Sequence, residues 1–159
     1  MANMAEYSNV TQQTVNPGEA IVFTNSPVPC ERGLVKHRDD TGSFLLVGYV
    51  PYNGGCRCRN RNQSANYLVD FGANIAIPTG GTVGEISVAI AIDGATLPAS
   101  TMSVTPAAVE QFFNVSRAIN ASIYKGCCQT VTVRNISDQP ILVEDANIII
   151  SRPDLAVTR

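Results

Sequence analysis

Short apolar segments recur along this chain, each closed by turn residues. Residues 67–77 show the pattern most plainly. Tyr67, Val69, Phe71, Ala73, Ile75 and Ile77 fall on one side, while Leu68, Asp70, Gly72, Asn74 and Ala76 fall on the other. A period of two marks an extended strand, because successive side chains point to opposite faces. Residues 86–93 repeat it, with Ile86, Val88, Ile90 and Ile92 facing in and Ser87, Ala89 and Ala91 facing out. Asp93-Gly94 then supplies a hairpin turn. Residues 44–50 are apolar nearly throughout, with Gly48 the exception, and read as a strand buried on both faces. Further strands are expected over 20–23, 33–36, 115–124, 130–134, 141–143 and 146–151. Residues 25–29, with Pro27 and Pro29, read as a stop, and Pro153 ends the last strand. Thr105 followed by Pro106 predicts the start of a short helix over 105–110. Residues 51–63, around Asn53-Gly54-Gly55, read as a loop.

Many brief strands at fairly even spacing predict an all-β antiparallel sandwich or barrel. Residues 1–16 are polar and precede Pro17-Gly18, so they read as an anchoring arm. Residues 17–159 then form the one domain that 159 residues allow. Charged residues are only 15%, below the usual share of about a quarter, which suits β-sheets and assembled surfaces. The formal net charge of -2 builds no field for nucleic acid. No apolar run is long enough to span a membrane as a helix. The start of the chain lacks a basic residue followed by an apolar stretch, so no secretory signal is expected there.

The five cysteines are Cys30, Cys56, Cys58, Cys127 and Cys128. An odd count leaves at least one thiol free or bonded to another chain. Disulfides between the loops or between subunits, and free thiols, both stay open. Zinc fits poorly, because gaps of one residue and none do not let paired sulfurs reach one tetrahedral ion. Adjacent cysteines seldom bond each other, so Cys127 and Cys128 would each need a separate partner. Arg57, Arg59 and Arg61 alternate along the 51–63 loop. They form an exposed contact loop, either merely solvated or touching an acidic surface or host glycan.

Catalysis finds no support in the motifs. The chain has one histidine, His37, which reads as a surface or interface residue. No Gly-x-Ser-x-Gly elbow, His-Glu-x-x-His pair or phosphate-cradling loop occurs. Neither a cofactor nor a metal is expected. Asn9, Asn62, Asn114, Asn120 and Asn135 stand in Asn-x-Ser/Thr triplets, read as chance in a chain rich in those residues.

Four segments carry a family resemblance. Tyr67-Leu68-Val69-Asp70-Phe71 and the residues through Ile77 resemble a characteristic strand of C1q/TNF-like jelly rolls. Residues 84–94 are similar to that family's next strand and hairpin, Thr130 to Asn135 to a later one, and Ala146 to Arg152 to the final one. The likeness extends to bacterial spore-surface domains of the exosporium type and to phage head-fibre or capsid decoration proteins. No Gly-X-Y collagen stalk precedes the domain, unlike most spore-surface members. The resemblance implies an antiparallel jelly-roll sandwich that assembles as a homotrimer. It also implies a structural role on a particle surface, a phage virion by preference and a spore coat or a carbohydrate-binding adhesion module as alternatives. Some C1q-like domains bind calcium through acidic loops, which makes Asp39, Asp40 and Asp93 candidates, but no EF-hand-like spacing supports them. The oligomer interface is expected at Phe44, Leu46, Ala89, Ala91 and Ile149. Residues 1–16 are expected to hold capsid or other particle proteins, with residues 51–65 facing solvent or host.

Overall fold

A computed structural model describes residues 4–30, 33–50 and 63–153. The strands among them are β1 (Met4–Asn9), β2 (Gln13–Val15), β3 (Asn25–Val28), β4 (Val35–His37), β5 (Phe44–Val47), β6 (Ser64–Ala76), β7 (Ile86–Ile92), β8 (Ala95–Thr96), β9 (Met102–Val104), β10 (Phe113–Tyr124), β11 (Cys128–Asn135) and β12 (Ile141–Ser151). They form two antiparallel sheets. The first runs β10-β6-β12-β1-β3, with β2 also on β12; the second runs β4-β5-β11-β7-β8, with β9 on β7. The period-two side chains of β6 and β7 meet between the layers, where Tyr67, Val69, Phe71, Val88 and Ile90 share one apolar core. Burying each such side chain contributes about 1.5–3 kcal/mol, and that gain holds the layers together.

Residues 4–15 are not an arm. β1 pairs with β12 along its whole length, Met4 opposite Ser151 and Asn9 opposite Ala146, and β2 pairs with the start of β12. Ala5 and Tyr7 enter the core. The segment looks polar because only alternate residues are apolar, and buried Asn9 donates its side-chain amide to the Val22 carbonyl.

Other expectations also shift. Residues 20–23 make only two isolated bridges, Ala20 to Arg134 and Phe23 to Thr41. The expected stop at 25–29 contains β3, whose Pro27 is tolerated because the strand lies at a sheet edge. Residues 105–110 form no helix. Glu110 takes a left-handed φ of 57° and its amide bonds the Ile77 carbonyl. The runs 141–143 and 146–151 are one strand, joined by a bulge between Glu144 and Asn147 with Asp145 at φ 51°. The β7–β8 hairpin is as expected, with positive φ at both Asp93 and Gly94.

Strand β5 ends at Val47 and is not buried on both faces; Phe44 and Leu46 are buried while Leu45 and Val47 are half-buried. It stops where Gly48 meets the β10–β11 turn. Gly48 donates to the Cys127 carbonyl and accepts from the Gly126 amide. A Cβ at Gly48 would collide with the Tyr124 and Cys127 carbonyls.

Candidate functional site

Two outer surfaces flank the core, one on each sheet. Pairing parity decides which side chains face out. In the first sheet Met4 lies opposite Ser151, which lies opposite Leu68; Glu6 opposite Ile149, then Asp70, then Ala118; Ser8 opposite Asn147, then Gly72, then Ser116. These rows run across four strands. Tyr67, Val69 and Phe71, the alternate residues of β6, are buried, so the rows face outward. They carry no lysine or arginine. Their carboxylates are Glu6 and Asp70, and Glu6 accepts a 2.7 Å bond from the Asn147 amide. Met4 and Leu68 are exposed large hydrophobics, 47% and 37% accessible.

Strand β10 ends this sheet and pairs with β6 from Phe113–Ile75 to Tyr124–Ser64 without a register break. A bare edge is normally blunted by lysine, proline or a bulge, since unpaired backbone groups invite another strand. β10 has none of these, and its one charge, Arg117, bonds the Thr101 carbonyl at 3.1 Å. Beside it lies an open polar groove of about 320 Å³ between Thr101–Val104 and Asn114–Arg117.

The expected interface residues do not form one surface. Ile149 stands on the outward rows of the first sheet, half-buried. Phe44 and Leu46 are fully buried in this chain's own core, so neither is free to meet a partner. Register explains the error: Phe44 lies opposite Val131, a core residue, so the outward pair on β5 is Leu45 and Val47. Ala89 and Ala91 belong to the second sheet and are already fully buried within one chain.

The end of the sandwich near Met4 also gathers most of the cysteines described. Leu68 and Ser151 lie level with Met4, and Gln63 and Ser64 lie just beyond. Gln63 accepts from the Lys125 amide, and Gly48 touches the same turn. Gly48 and Gln63, described residues on either side of 51–62, therefore lie at the end where Met4 and Pro153 lie. Cys127 and Cys128 are exposed in the turn, and Cys30 is half-buried; all three are free thiols. Cys56, Cys58, Arg57, Arg59 and Arg61 lie outside the described residues.

Buried polar groups brace this end. Arg152, only 2% exposed, places its guanidinium 4.9 Å from the centre of the Tyr67 ring and donates to the Tyr49 carbonyl at 2.9 Å. The Tyr67 hydroxyl bonds the carbonyls of Leu34 and Val47. Burial pushes the Tyr67 phenol above its ordinary pKa, while Arg152 pulls the other way. Tyr7 is also raised, first by burial and then by Cys30 and Asp39.

His37 is half-buried within the chain rather than free on its surface. Its ring stacks on Phe44 at 4.5 Å, and its nitrogens face the carbonyls of Ser43 at 3.2 Å and Phe23 at 3.0 Å. Among the described residues, no three His, Cys, Asp or Glu side chains gather as metal ligands. No helix among them is long and apolar enough to cross a membrane.

Two layers of antiparallel strands in this order define a jelly-roll protein. Its particular variety is C1q/TNF-like, as solved structures show. No family model matches the chain, and no curated protein matches it in sequence. Eiger TNF from S. frugiperda is similar with a TM-score of 0.65 and 12% identity, over 99% of this chain and 95% of that one. The globular domain of zebrafish complement 1qA follows at 0.63 and 10%, over 96% and 98%. Murine APRIL gives 0.59 and 9%, over 96% and 99%. At such identities the likeness establishes the fold alone.

Proposed function

We propose that this chain is a structural, non-enzymatic component of a particle surface, displayed as a homotrimer, and that the particle is a phage virion on which it acts as a head fibre or capsid decoration. The observation that carries the reading is the outer face of the first sheet. Its rows hold Leu68, Ala118, Ile149 and Met4 with no basic residue, beside a β10 edge without lysine, proline or bulge. A face of this kind suits burial against sister copies, because an interface core is poor in charge, and the long β10 edge beside it carries only Arg117 as protection. The C1q/TNF-like fold accords with threefold assembly.

Residues 4–15 are built into the sheet and do not serve as a free tether. The work of such a protein is shape and cohesion, so binding and mechanical readouts matter rather than turnover.

Immunogold labelling of purified particles from the source organism tests the role. Regular labelling of phage heads is expected. Labelling of spore coats would move the same fold to the competing location. Absence from both, with the protein recovered free, would overturn the reading.

A further inference from the structure

We infer that Cys127 and Cys128 are cross-linking thiols that join sister copies, the Cys127 sulfur of one chain bonding the Cys128 sulfur of the next. This inference rests on the trimer reading and adds a covalent element to it.

The first observation is exposure without a partner. Both residues are exposed, and neither is bonded to a described cysteine. The second is direction. Cys128 opens β11 opposite Val47, whose side chain faces outward from the second sheet. Cys127 precedes the strand and belongs to the turn, so only Cys128 takes its direction from the sheet. A bond between the sulfurs of adjacent residues within one chain would demand a strained ring. The third is rigidity. Cys127 donates its amide to the Tyr124 carbonyl and accepts from Gly48, while Gly126 at φ 82° donates to Gly48. The turn is tied to β5, so the backbone that carries both thiols is held in place.

The fourth observation is place. The turn directly continues β10, which ends at Tyr124. Where a sister copy covers the β10 edge, the turn meets that copy, and joining both neighbours through adjacent cysteines puts the turn beside the axis of the trimer. Head-to-tail contacts that close a ring bring different residues of two copies together. Two exposed thiols on each chain match that arrangement, one sulfur bonding each neighbour. Cys30 does not compete for this role, since it is half-buried and packed against the core.

Bond formation requires an oxidant, for which a small-molecule disulfide such as oxidised glutathione serves. The Cys127 thiolate attacks it, forming a mixed disulfide and releasing one small thiol. The Cys128 thiolate of the next copy then displaces the second. One protein S–S bond forms, the small disulfide is reduced by two electrons, and both protons leave on the two small thiols.

The test incubates the full chain with oxidised glutathione, then runs denaturing gels without reductant and maps disulfides by mass spectrometry. A trimer band that reductant removes, with a Cys127–Cys128 peptide linking two chains, is expected. Cys127→Ser and Cys128→Ser should each abolish that band, while Cys30→Ser leaves it. Circular dichroism of each variant confirms that the fold survives. A monomer band alone, or a map joining Cys127 or Cys128 to a cysteine of the same chain, overturns the inference. Light scattering under reducing conditions separates the two ideas: a reduced trimer that never cross-links sinks only the thiol bond, and a reduced monomer sinks the assembly.

Discussion

The guanidinium of Arg152 lies 4.9 Å from the centre of the Tyr67 ring, and both side chains are almost wholly buried. Arg152 follows β12, whereas Tyr67 belongs to β6, so the contact fastens the end of β12 to the neighbouring strand. The Tyr67 hydroxyl reaches on to the Leu34 and Val47 carbonyls, next to the second sheet. Replacing Tyr67 with Phe removes this donor from the Val47 carbonyl, while the Leu34 carbonyl keeps the Val47 amide, and is expected to cost about 1–3 kcal/mol, read from urea unfolding.

The same phenol gives a pH dependence. Its pKa in the folded state lies above the unfolded value because burial disfavours the charged form. That contribution is therefore fully present below the unfolded tyrosine value, near 10, and is lost as pH rises through the folded one. Wild-type stability should fall at strongly alkaline pH, and Tyr67→Phe should fall less steeply. Equal alkaline slopes would show that Tyr67 does not carry the effect.

Residues 4–15 contribute two strands and the core side chains Ala5, Tyr7 and Val15. Deleting residues 1–16 is expected to abolish cooperative thermal unfolding, since β12 loses its β1 and β2 partners. A detachable arm would leave the melting curve unchanged.

Burial and assembly separate cleanly in two substitutions. Phe44→Ala should cost about 3–5 kcal/mol of stability, as a core cavity does. Ala118→Arg places a cation on the outward rows and should leave chain stability nearly intact while dissociating the oligomer. Light scattering and thermal melts on both variants check the pair.

The fold was legible where alternation was strong. Residues 67–77 and 86–93 display their period openly, and Asp93-Gly94 marks its hairpin by residue type alone. Residues 4–15 escaped notice because their inward positions include Asn9, a polar side chain whose hydrogen bond is visible only after folding. The bulge at Asp145 hid the unity of β12 by shifting its register. The interface residues failed for a related reason. Whether Phe44 or Leu45 faces out depends on its partner across the sheet, and the sequence of one strand does not contain that parity. Ile149 stands on the outward rows that the assembly reading requires.

The mass of the purified, reduced chain in dilute solution tests the central claim most directly. Multi-angle light scattering should give three times the 16.9 kDa chain mass at micromolar concentration, falling to a single chain mass in Ala118→Arg. A wild-type protein that stays folded at a single chain mass would contradict the account.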